Sequence, residues 1–193
     1  MRLVSALILL FATRAEARAA ILLVEVRDVR GAPVPDAVVY AVPDVKKLPA
    51  PSRAVLDQKN RTFVPHVLPI QTGTAVTFPN SDNVRHQVYS FSPAKRFQLP
   101  LYSGTPAAPV VFDKAGVVTI GCNIHDQMSA YLVVVDTPFF ALTASGRAEL
   151  SNLPEGKYDV HVWYAGMRHE PPFEPVRLGA DEQKSLSFQI GNK

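Results

Sequence analysis

The chain has one cysteine, three methionines and one tryptophan among 193 residues, and after its first dozen residues it has no apolar run long enough to cross a membrane. The lone cysteine excludes an internal disulfide framework. Charge is nearly balanced, with a formal net of +3, and no Lys/Arg stripe runs along any segment, which argues against a nucleic-acid partner. Also missing are a serine nucleophile elbow, a Gly-rich phosphate loop and a zinc-protease helix. No repeat of 20 to 50 residues and no low-complexity segment is present, and no stretch carries a convincing helical period.

What is present begins with an export pattern. Arg2 precedes the apolar stretch Leu3 to Ala12, and small residues around Ala15 and Ala17 give a cleavage site after Ala17, or after Ala19 by Ala17-Arg18-Ala19. Ten apolar residues fall short of the roughly 20 that a membrane span needs. Residues 1–17 are therefore expected to be a signal peptide directing the chain to the periplasm, with no membrane span left after cleavage.

An unpaired thiol in an oxidising compartment is a liability unless something occupies it. Cys122 stands in Gly121-Cys122-Asn123-Ile124-His125-Asp126-Gln127-Met128, spaced C-x2-H-x2-M, so one loop could turn a thiolate, an imidazole and a thioether toward a single point. The best candidate for a fourth ligand is His86, upstream in Ser81-Asp82-Asn83-Val84-Arg85-His86. Two imidazoles, a thiolate and a weak thioether are the donors of a blue-copper electron-transfer centre. Structural zinc normally takes four Cys or His ligands and has little use for methionine. The blander reading is an inert buried cysteine. A Cys122/His125 nucleophile pair is also conceivable, but the three-residue offset constrains their alignment and no oxyanion-hole signature accompanies them. His66 has no ligand neighbour at useful spacing and is expected on a strand or surface. Met167 and His169 are expected in a solvated loop, and Trp163 and Tyr164 in core or edge packing.

Asn80 and His86, followed by Cys122-x2-His125-x2-Met128 just after Val117-Val118-Thr119-Ile120, resemble the cupredoxins, and the short gap before the methionine is most similar to the amicyanin-like branch. Phe63 to Thr137 also resembles exported bacterial proteins labelled as methylamine utilisation or plastocyanin-like. Gln87 departs from the pattern, since several cupredoxins carry Asn after this histidine. The resemblance implies a type-1 copper cofactor held by His86, Cys122, His125 and Met128, no enzymatic activity, and redox partners such as a dehydrogenase or a c-type cytochrome. A copper carrier, and a binding module with a vestigial copper loop, are the alternatives.

Strand-like runs separated by Pro/Gly turns indicate an all-β fold. The expectation is a Greek-key sandwich over 61–136 with a second small β-sandwich portion. Val26-Arg27-Asp28 through Gly31, Pro33 and Ala37 resembles the opening of carboxypeptidase regulatory-like (transthyretin-like) modules, and Gly146 to Val160 resembles a later part of one. This divides the chain into 18–60, strands and linker shared with either portion; 61–136, the copper domain; and 137–193, the regulatory-like portion. Residues 43 to 62, with three prolines and no period, read as a loop or linker.

Overall fold

Ala20, Leu22, Val24 and Val26 are buried while the residues between them are only partly so, the period-2 signature of a strand with one face in a core. A computed structural model describes residues 19–45, 52–106, 108–167 and 169–191. The expected signal segment lies outside these residues. None of the described residues is helical, and the all-β sandwich class expected from the sequence is what the structure shows.

The chain opens with β1 (Ala20–Asp28) and β2 (Val38–Pro43). It continues through β3 (Arg53–Val55), β4 (Asp57–Lys59), β5 (Thr62–Val64), β6 (Val67–Gln71), β7 (Thr74–Thr77), β8 (Tyr89–Ser92) and β9 (Lys95–Gln98). Then come β10 (Val110–Phe112), β11 (Gly116–Gly121) and β12 (Ser129–Val135). The last part holds β13 (Phe140–Leu142), β14 (Arg147–Leu153), β15 (Gly156–Trp163), β16 (Glu174–Leu178) and β17 (Gln183–Ile190).

Pairing joins the two ends of the chain. β1 lies between β14, antiparallel, and β17, parallel, while β2 lies between β13 and β15 with β16 beyond. These two sheets face each other across a core that includes Leu22, Val24, Val39, Ala41, Val160 and Leu178. The opening strands thus pair with the C-terminal strands and with none of the central ones. The central strands form a five-stranded sheet, β6-β12-β11-β8-β9, against a three-stranded sheet, β10-β7-β3, with the β4–β5 hairpin beside them. Phe78, Phe112, Val118, Ile120 and Leu132 fill the core of this second sandwich.

The two sandwiches are themselves stacked. Val38 and Trp163 from the outer pair meet Val67, Val133 and Val135 from the central pair in a third cluster. β12 is therefore covered on both faces, Ala130, Leu132 and Val134 on one side and Val133 and Val135 on the other. A strand buried on both faces needs continuous apolar sequence, which explains the unbroken run Leu132 to Val135.

Residues 43–62 depart from the linker expected of them. Their described part holds β3, β4 and the start of β5, with Leu56 and Gln58 fully buried. Met167 also departs from the solvated-loop expectation, since it packs against the third cluster. Trp163 is a core residue, 7% exposed and 5.3 Å from the Tyr131 ring, while His66 is exposed with its ring edge-on to the same tyrosine.

Candidate metal centre

The end of β11 sets the position of Cys122. Gly121 pairs with Ser129 of β12 and with Tyr89 of β8, so the following residue leaves the sheet at a fixed point. A side chain at 121 would not fit there. Its Cβ would come within 2.9 Å of the Tyr89 ring, which occupies that space. From Cys122 the chain turns through His125 and returns at Met128, whose N–H donates to the His125 carbonyl at 2.9 Å. Cys122 and Met128 are 3% and 2% exposed and belong to the central core. His86 comes from a separate loop. Its main chain exchanges two hydrogen bonds with Tyr102, each 3.0 Å, and it is fully buried.

The side chains of His86, Cys122 and His125 converge, with one potential ligand atom from each lying within 4.8 Å of the others. The His86 Nδ1 is 3.9 Å from the Cys122 Sγ, and the two imidazole rings are 4.9 Å apart at 60°. The Nδ1 of His125 is buried with no hydrogen-bond partner. A desolvated ring nitrogen left unpaired is costly, by about 1–3 kcal/mol. A metal ion accepting its lone pair removes that cost, and a thiolate with two imidazoles suits a soft transition ion. The residues present therefore fit a copper ion. Met128, itself buried, closes the same loop and would add the thioether.

Around these donors lies a polar support that the sequence reading missed. Asn80, 6% exposed, donates from Nδ2 to the carbonyls of Val84 and Tyr102, and its Oδ1 accepts from the Asp82 N–H. Buried Gln58 donates to the Pro79 carbonyl and to the Tyr102 hydroxyl, which in turn donates to the Phe78 carbonyl. The Tyr102 hydroxyl is pushed up to about 12, chiefly by burial; the Gln58 hydrogen bond opposes this, and the Asp57 carboxylate adds to it. The Nε2 of His86 lies 2.7 Å from the Asp82 carboxylate. Burial raises the Asp82 carboxyl, but the N–H of Arg61, the His86 ring and the N–H of Asn60 together hold it below the ordinary carboxylate value. Asn80 was visible in the sequence only as part of the family pattern. Asp82 and Gln58 carried no signal of their own.

Several solved structures are similar to part of this chain. The chain is 26% identical to the copper-containing nitrite reductase of Thermus scotoductus SA-01, at a TM-score of 0.40, over 45% of this chain and 23% of that one. It is 24% identical to a purple cupredoxin from Nitrosopumilus maritimus, at 0.38, over 42% of this chain and 99% of the other. A reduced amicyanin variant is 21% identical at 0.39, over 50% and 99%. This chain spans under a quarter of the reductase's length. No family model and no curated protein matches.

Proposed function

We propose that this chain is a periplasmic one-electron carrier holding a single type-1 copper with His86, Cys122, His125 and Met128, and exchanging electrons with partners such as a dehydrogenase and a c-type cytochrome. The observation that carries this is the convergence of a buried thiol, the ring of buried His86 with Nδ1 toward that thiol, and the ring of His125, whose Nδ1 is buried without a hydrogen-bond partner. Bound there, copper would supply a centre that alternates between two oxidation states.

The chain's own part is to keep the donors still and dry. His86 is fixed by its main-chain pairing with Tyr102, Cys122 by the end of β11, and Met128 by the start of β12. Donors held this way need not rearrange when the charge at their centre changes, and a small rearrangement means a low barrier to electron exchange. Burial of Cys122 and Met128 keeps water and oxidants from the sulfur atoms. His125 is only partly buried, and beside it Ile124 is 50% exposed, an apolar contact where a partner could approach the ring.

The test is addition of one equivalent of Cu(II) to the metal-free protein. An intense visible thiolate-to-copper absorption is expected, and a colourless product would sink the proposal. A copper carrier would instead favour Cu(I) and release it to an acceptor protein, whereas an electron carrier retains its ion through repeated oxidation and reduction.

A further inference from the structure

The carboxylate of Asp82 accepts three hydrogen bonds. The main-chain N–H of Asn60 donates to Oδ1 at 2.6 Å, that of Arg61 donates to Oδ2 at 2.9 Å, and the Nε2 of His86 is 2.7 Å from Oδ2. Asn60 and Arg61 are the central residues of the turn joining β4 to β5, and both have φ of 55°. This left-handed conformation crowds the Cβ of an ordinary residue such as Arg61, at a cost of roughly 1–2 kcal/mol. It also places two successive N–H groups where they meet one anion.

A carboxylate can only accept, so the bond to His86 requires the hydrogen to sit on Nε2. A neutral imidazole carries one N–H. Its Nδ1 then keeps a bare lone pair, and Nδ1 is the atom that faces the Cys122 thiol. We infer that Asp82, gripped by the Asn60–Arg61 turn, is a positioning residue of the metal centre that fixes His86 in the Nε2–H tautomer and presents its Nδ1 to the ion. This deepens the copper reading and rests on it for the identity of the metal.

Holding the loop in place does not by itself require this carboxylate. Asn80 already ties 80–84 to Tyr102, the Ser81 hydroxyl donates to Asp57, and the Ser81 N–H donates to the Gln58 carbonyl. What Asp82 provides beyond these is the partner for the Nε2 of His86.

The experiment uses the full-length protein and two independent readouts. The first is the imidazole nitrogen NMR spectrum of the metal-free protein at mildly alkaline pH. Wild type should show His86 with its hydrogen on Nε2 alone, and Asp82→Ala should populate the Nδ1–H form. Asp82→Asn, which keeps an oxygen for the turn, should do the same, because its amide can donate to Nε2. Arg61→Gly keeps both the turn and its N–H and should leave the tautomer unchanged. The second readout is copper affinity by chelator competition, expected to fall about 10–100-fold in the Asp82 variants and to hold in Arg61→Gly. A dispersed amide spectrum in Asp82→Asn confirms that the variant is folded. An Nε2–H tautomer that persists in both Asp82 variants overturns the inference even if wild type is blue. A tautomer that follows Asp82 in a protein that stays colourless with Cu(II) upholds the positioning role and removes copper as its purpose.

Discussion

At the scale of single residues, the proposed copper site would give Met128 a role beyond the core packing it has in the structure. A thioether at the axial position of a type-1 site binds weakly but tunes the balance between oxidation states. If Met128 is that donor, replacing it with Leu removes a ligand that favours Cu(II), so the reduction potential should rise with the colour retained, while Gln, a stronger oxygen donor, should lower it. Voltammetry of the three proteins in one buffer decides the matter: shifts of the same sign, or none, would make Met128 a core filler. A different residue contributes to acid sensitivity. His161 is stacked on Tyr40 with ring centroids 4.8 Å apart and planes 5° from parallel, and burial holds its imidazole below the ordinary value of 6.5 despite the opposing charges of Glu170 and Asp159. The fold thus favours the neutral ring. Its stabilising share is complete above the unfolded value and is lost as the pH falls below it toward the lowered folded value. Urea midpoints measured from neutral pH into mild acid should fall in wild type and fall less in His161→Phe, and equal losses would rule His161 out. At this scale the convergence of Cys122 and His125 was legible from their spacing, because ligand chemistry is local. Asp82 was not, because an acid four residues before a histidine looks like any turn residue until Asn60 and Arg61, some twenty positions earlier, are folded against it.

At the scale of elements, the turn from β13 to β14 is an exacting connection in the outer sandwich. Ser145 and Gly146 have φ of 50° and 77°, and a Cβ at 146 would lie 2.7 Å from the Pro33 Cβ and 2.9 Å from the Val26 carbonyl oxygen. Gly146→Ala meets both strain and collision and should destabilise the protein by about 1–3 kcal/mol, an overpacking cost. The copper colour should remain, since the turn belongs to the other sandwich. An unchanged denaturant midpoint would mean that Pro33 yields freely. The long elements were legible in the sequence: β1, β11 and β12 all by apolar runs bounded by turn signals. β3, β4 and β5 were not, because three residues cannot display a period and the burial of Leu56, Gln58 and Phe63 is decided by the sheets that close over them. The parallel pairing of β1 with β17 leaves no local signature either.

At the scale of the whole molecule, the third cluster couples the two sandwiches, and Trp163 is its largest member. Trp163→Ala should cost about 3–5 kcal/mol, typical of a buried tryptophan. The cost should appear as a lower melting temperature and as separation of one calorimetric transition into two, with the visible spectrum unaltered at low temperature. A single transition at the wild-type temperature would show the sandwiches to be energetically independent. The order of strands bears also on how the chain assembles as it is made. β1 is among the first strands to emerge, yet its parallel neighbour is the last, and closing so long a loop costs on the order of 4–5 kcal/mol. The strands β3 to β12 find all their sheet partners among themselves. The metal-binding half can therefore complete itself while synthesis continues, and in doing so it brings the end of β2 close to the start of β13, which pair. The early-folding half acts as a splint, shortening the loop that the outer strands must close.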